Sequence, residues 1–247
     1  MELGIAGRTA AVAAASKGLG FASAAALAAE GVRVALCSRD AGRVREAADR
    51  IGGDAVPLVA DLSSPEGGSG FVEAAIEALG RVDILVANAG GPPPGTFAST
   101  SLEAYRQALD LNLLSTIAMT RAAVPPMQER GWGRVVAITS SGARNPIRFL
   151  AASSTARAAV TGFLKVLATE VAPDGVTVNS VQPGIHATER VTGLGGDLEQ
   201  MARNVPAGFV GDPADFGHAV AFLCSESARF ITGTGLLIDG GASPGLL

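Results

Sequence analysis

From end to end, the chain alternates short apolar runs with helical ones. Ile84-Leu85-Val86-Ala87 contains no polar residue. A strand that is apolar at successive positions tolerates water on neither face, so both faces of its sheet must be covered. Strands are expected at residues 9–14, 33–37, 55–60, 84–87, 134–139, 177–181 and 235–238. Helices are expected at 20–30, 41–51, 65–79, across most of 102–128, and at 153–171 and 216–223. Strand–helix repetition of this kind builds an α/β fold, a single doubly wound parallel sheet with helices on both faces. Right-handed crossovers then gather the loops that follow the strands along one edge, where ligands bind. The 247 residues suit one such domain, 1–247.

Composition narrows the possible partners. Hydrophobic residues make up 48% of the chain and charged ones 17%, which fills a large core and leaves apolar surface to hide. A homo-oligomer is expected on that ground. The net charge is −4, and no run of Lys and Arg is long enough to follow a phosphate backbone, which excludes nucleic acid. Cys37 and Cys224 read as buried, reduced thiols. Met1-Glu2-Leu3-Gly4 has no basic stretch leading into an apolar one, so no signal peptide is expected. No apolar run reaches the ~18–20 residues of a membrane span. The expectation is a cytoplasmic protein that meets no membrane and acts on a small molecule.

Two segments stand out as loops. Gly90-Gly91-Pro92-Pro93-Pro94-Gly95 is rich in turn formers and follows a strand. Residues 188–209 contain Gly193, Gly195 and Gly196 between a strand and the next clear helix, and read as an irregular substrate lid.

The first strand runs into Ala14-Ala15-Ser16-Lys17-Gly18-Leu19-Gly20 and then into a helix. Glycines at such a turn let the backbone approach a pyrophosphate, and the helix N-terminus offers it unpaired N–H groups. Ala14 is the exception, because its methyl takes room beside the phosphates and disfavours positive φ. Weakened binding is expected unless the loop shifts. The second strand ends at Ser38-Arg39, where a carboxylate would suit a ribose 2′-hydroxyl. Arg39 suits a 2′-phosphate instead, and Lys17 in the glycine turn is placed to approach the same group. NADP(H) is therefore favoured over NAD(H). No metal ligands are assigned.

The motifs together resemble the short-chain dehydrogenase/reductase family, especially its 3-oxoacyl-carrier-protein-reductase-like members, over essentially the whole chain. Gly18 and Gly20 match its Thr-Gly-x-x-x-Gly-x-Gly turn, with Ala13-Ala14 where Thr-Gly is usual. Asp61-Leu62 stands where the family's Asp contacts adenine, and Asn88-Ala89-Gly90 matches its Asn-Ala-Gly. Asn112, in Leu111-Asn112-Leu113, stands where the family has its helical catalytic Asn, and Ser140 ends the fifth strand as the catalytic Ser does. Pro183-Gly184-Ile185, with Thr188 beyond, resembles the segment that cradles nicotinamide. Gly233 and Asp239-Gly240-Gly241 resemble the C-terminal signature. The resemblance implies a Rossmann-type fold and a nicotinamide cofactor, and says little about substrate.

The same resemblance exposes a departure. The family carries Tyr thirteen residues after the Ser and Lys four further on. Counting from Ser140 gives Ser153 and Arg157, and the chain's one Tyr, Tyr105, lies well upstream. A phenol has an unperturbed pKa near ~10 that a cation can lower, whereas a serine hydroxyl is a far weaker acid on a shorter side chain. Arg157 has donors for ribose hydroxyls but stays charged. Ser153 is also a candidate helix cap. His186 and a water are candidate proton sources, while Arg144 and Arg148 are candidates for an anionic substrate or a polarised carbonyl. His218 reads as structural. Three functions follow: a reductase with an altered acid–base step, a non-redox enzyme (cyclase, isomerase or dehydratase), or a cofactor-binding protein without catalysis.

Overall fold

Apolar strands lie where their burial demands, at the centre of one seven-stranded sheet in the order β3-β2-β1-β4-β5-β6-β7. The computed structural model describes residues 2–193 and 197–245. The strands are β1 (Thr9–Val12), β2 (Arg33–Ser38), β3 (Val56–Val59), β4 (Ile84–Ala87), β5 (Gly133–Ile138), β6 (Val176–Pro183) and β7 (Gly235–Ile238). Every neighbouring pair is parallel. The helices are α1 (Gly18–Ala29), α2 (Ala41–Ile51), α3 (Pro65–Leu79), α4 (Leu102–Leu109), α5 (Ser115–Glu129), α6 (Ala151–Val171), α7 (Glu189–Gly193), α8 (Leu198–Ala202) and α9 (Pro213–Leu223).

Successive strand residues feed opposite layers. Ala10, Val12, Leu36, Ile84, Val86 and Val181 pack with Leu27 of α1, Val44 of α2 and Phe216 of α9. Ala11, Ala35, Leu85, Ala87, Val135 and Val178 pack with Phe71 of α3, Met119 of α5 and Leu164 of α6. This is the Rossmann-type arrangement, with a core on each face of the sheet. β1 pairs with β4 on one side and β2 on the other, so the chain reverses its direction of travel across the sheet between β1 and β4. Such a reversal opens a crevice beyond the strand ends.

Several boundaries differ from those read in the sequence. The stretch 102–128 is not one α-helix: a π-helical turn, Asp110–Leu114, separates α4 from α5 and carries Asn112. α6 opens at Ala151, so Ser153 lies inside the first turn and caps nothing. β6 runs through Pro183 because β7 pairs with it up to Ile238. Residues 188–209 are not wholly irregular, since they hold α7 and α8, and Gly193 is the last residue of α7. Gly195 and Gly196 lie outside the described residues.

β1 stops short of the expected Ala14. That residue has φ +48°, and it is the only non-glycine in the left-handed region among the described residues. Its neighbours fix it there, for Ala13 N–H donates to Val86 O at 3.0 Å and Ala15 N–H donates to Cys37 O at 2.9 Å. The loop thus keeps a turn suited to glycine in spite of the methyl, at a cost of about 1–2 kcal/mol. Ala14→Gly is expected to raise stability by about 1 kcal/mol in urea unfolding; unchanged or lowered stability would show that the turn holds no strain.

Candidate active site

The glycine turn is built around missing side chains. Gly18 has φ +61°. A Cβ on Gly20 would lie 2.5 Å from Ala14 O and 2.8 Å from Asn88 Nδ2. The Asn88 amide donates to both Ala13 O and Ala14 O at 3.3 Å, which ties the loop after β4 to the loop after β1. α1 begins here with no capping side chain and no acidic residue in its first turn, so its leading N–H groups are unclaimed by side chains. Ser16, Gly18 and Leu19 are half-buried along this turn. The backbone donors and the positive helix end suit a pyrophosphate.

The basic residues expected at the ribose end have separate positions. Arg39 is exposed and makes no ion pair among the described residues. The adjacent Asp40 is turned into α2, where its carboxylate accepts from Arg43 N–H at 3.0 Å. Lys17 does not stand free for a phosphate as expected, because its Nζ meets Glu189 Oε2 at 2.7 Å. That contact joins the glycine turn to α7, and the Lys17 ammonium holds the Glu189 carboxyl below its usual range. Asp61 accepts from Ser63 N–H at 3.0 Å, and Leu62 beside it is buried.

At the other end, Ala89, Asn88, Asn112, Thr116, Thr139 and Arg157 line one small cavity with room for about one water molecule. Asn112 is buried on its π-turn. Its Nδ2 donates to Ala108 O at 3.2 Å, but its Oδ1 is buried without a partner. A π-turn of this kind shifts a side chain out of the regular helical register. Arg157 donates from Nη1 to Ile138 O at 2.9 Å. Burial pushes its guanidinium pKa down to about 10, and Arg190 acts in the same direction. Ser140 Oγ accepts from Gly142 N–H at 3.0 Å, which leaves its own proton free to donate. Ser153 is buried at 7% exposure. Its neighbour Ser154 was not singled out in the sequence. Ser154 Oγ accepts from Ile147 N–H at 3.1 Å and, like Ser140 Oγ, lies within 3.3 Å of where a Cβ on Gly142 would sit. Tyr105 packs with Ala108, Ala152 and Ala156 and does not line the cavity.

The segment after β6 covers the glycine turn. Pro183 ends the strand, Gly184 N–H donates to Ile238 O at 2.9 Å, and Ile185 O accepts from Gly211 N–H at 3.0 Å. The Thr188 methyl lies 3.7 Å from where a Gly18 Cβ would be. His186 between them is turned away from the cavity that holds Asn112 and Arg157. It is 3% exposed, its ring meets Phe216 edge-on at 5.3 Å, and it belongs to the side of the sheet opposite Asn112. Burial lowers its pKa, with Gly184 O, Asp212 and Asp215 opposing. Arg190 was missed in the sequence. It reaches from α7 across the crevice, donating from Nη1 to Gly91 O at 3.1 Å and from Nη2 to Pro92 O at 3.3 Å. No local pattern marks it, because its partners lie 98 and 99 residues away.

Residues 13–243 match the family profile described as enoyl-(acyl carrier protein) reductase. The chain is 33% identical over 244 residues to the human dehydrogenase/reductase SDR family member 4, covering 96% of this chain and 88% of that protein. It superimposes on the L-sorbose reductase of Gluconobacter frateurii, solved with NADPH and L-sorbose, with a TM-score of 0.93 and 30% identity over 100% of both chains. It also matches an NADPH-bound short-chain oxidoreductase of Pseudomonas aeruginosa PAO1, described as containing an atypical catalytic center. There the TM-score is 0.90 and the identity 32%, over 97% of this chain and 98% of that one. Sheet order, glycine turn and these likenesses agree: the chain belongs to the short-chain dehydrogenase/reductase family.

Proposed function

We propose that this protein is an NADP(H)-dependent oxidoreductase that interconverts a carbonyl and a hydroxyl group on a small molecule by an altered acid–base step. The observation that carries this reading is the pairing of an open phosphate turn with a cavity holding both a cation, Arg157, and an unpartnered acceptor, Asn112 Oδ1. Bound across the two, the nicotinamide would supply or accept the hydride. Gly18, Leu19, Gly20 and Ser16 hold the pyrophosphate in this reading, while Asp61 and Leu62 face the adenine. Asn88, Ala89 and Gly90 line the far ribose with Pro183, Gly184, Ile185 and Thr188. Arg157 keeps donors for ribose hydroxyls beyond the one spent on Ile138 O. Ser140 keeps a proton to donate to the substrate oxygen. Ser153 stands at the family's acid position, but a serine hydroxyl surrenders no proton near neutral pH, so water delivers it. Such a loss costs about 10²–10⁴-fold in rate. Residues 188–209 form the lid of this single domain. The two cysteines are buried and free, which suits a reducing cytoplasm. Among the described residues no helix is long and apolar enough to cross a membrane. The open phosphate turn lends no weight to a non-redox or non-catalytic reading.

Preference for NADP(H) is supported by the unpaired Arg39 and by the diversion of Asp40 into the α2 cap. Fluorescence titration is expected to give NADPH a dissociation constant at least about tenfold below that of NADH, the size of one charge-assisted contact. Arg39→Ala should remove most of that difference; equal constants in the unaltered protein would overturn the preference.

The altered acid step has its own test. Ser153→Tyr combined with Arg157→Lys is expected to raise the rate of NADPH oxidation with simple ketones by about 10²-fold or more. No gain in a variant that still binds NADPH would show that the pocket around Ser153 no longer accepts the tyrosine geometry.

A homo-oligomer, tetramer or dimer, completes the proposal. Leu102, Leu114, Phe149 and Val166 expose apolar surface on and around α4 and α6, and Phe230 (99% exposed) and Leu236 do so beside the edge strand β7. Static light scattering should give two or four times the monomer mass; a monomer at micromolar concentration would contradict it.

A further inference from the structure

The crevice mouth carries positive charge without a counter-charge. Arg157 lies at its floor, beside Asn88 and Ala89. Arg190 lies at its lid, fixed on the carbonyls of Gly91 and Pro92. The two guanidiniums therefore bracket the five-residue segment Asn88–Pro92. Among the described residues no carboxylate pairs with either, and the lid's nearest acid in sequence, Glu189, is taken by Lys17 at 2.7 Å. On the loop after β5, Arg144 is tied to Gly235 O of the edge strand β7 at 2.7 Å, and Arg148 is exposed. Neither of these is ion-paired among the described residues.

Such an arrangement is unfavourable when empty. Burial and the like charge of Arg190 both work against the charged form of Arg157. An anion between the two relieves both penalties, and a planar guanidinium held by two carbonyls presents its remaining N–H groups in a fixed direction that suits a carboxylate. Arg190 is exposed as a residue, so an incoming substrate can reach it.

Resting on the carbonyl–hydroxyl reading above, we infer that the substrate is an oxo or hydroxy acid whose carboxylate is received by Arg190 at the lid, within the field of Arg157. Arg190 is thereby a substrate-specificity residue, and the lid helix α7 selects charge as well as covering the crevice.

The test is calorimetric binding of matched acids and esters to the NADP⁺-loaded protein, where no turnover is needed. Benzoylformate and acetoacetate are each compared with their neutral methyl esters. The acids are expected to bind at least about tenfold more tightly than the esters. Arg190→Gln should abolish that ratio and Arg190→Lys should keep part of it, with the NADP⁺ affinity of both variants within about threefold of the unaltered protein. Equal binding of acid and ester overturns the inference. So does an Arg190→Gln variant that loses NADP⁺ and NAD⁺ affinity alike with the acid-to-ester ratio intact, since the anion would then be the cofactor's own pyrophosphate. If NADP⁺ fails to bind at all, the cofactor reading falls separately. The same comparison on the unliganded protein then decides the anion site: an acid preference that depends on Arg190 upholds it, and none overturns it.

Discussion

The amide of Asn88 holds the crevice together. It donates to Ala13 O and Ala14 O across the point where the sheet reverses direction, and the Gly20 backbone fits beneath it only because no Cβ is present. That contact joins two loops from distant parts of the chain, the one after β1 and the one after β4. A backbone amide that lacks its usual glycine at Ala14 can still be held in the left-handed region when its neighbours are bonded to two strands, Val86 on β4 and Cys37 on β2. The strain is local and its restraints are not, which is the usual way such conformations persist.

Around that anchor the proposed function divides the site into a retained half, the phosphate turn, and an altered half. At the altered end the π-turn presents Asn112 and Ser140 lies just beyond β5, and in that proposal Ser153 and Arg157 stand where the family has a phenol and an amine. An arginine retains charge and donors while giving up any role as a proton carrier. Burial and the charge of Arg190 both work against the charged form of Arg157, and no carboxylate pairs with it among the described residues.

Much of this was legible in the residues. Ile84-Leu85-Val86-Ala87 and its counterparts marked the strands because an apolar run has only one place to go in an α/β protein. Ser140 and Asn112 were read from the family resemblance and Ser153 and Arg157 by counting from Ser140, and the structure brings Asn112 and Arg157 to one cavity. What failed did so for a shared reason. The helix start at Ala151, the π-turn at Asn112 and the short helices α7 and α8 depend on what packs against them, and no propensity reports that. His186 follows a cofactor-lining motif yet turns into the α9 layer, because Gly211 leaves room for its ring and Phe216 meets it.

The sequence by itself determined the parallel sheet, the glycine turn and the absence of any tyrosine after Tyr105, since these are matters of periodicity, spacing and residue identity. The tertiary structure alone decided which charges meet. Lys17 was legible as a phosphate-turn cation, but its pairing with Glu189 spans 172 residues. Arg190 carried no local mark, and its hold on Gly91 and Pro92 is made only by the folded chain, across 99 and 98 residues. Coulomb and hydrogen-bond energies depend on distance in space, and separation along the chain does not encode it.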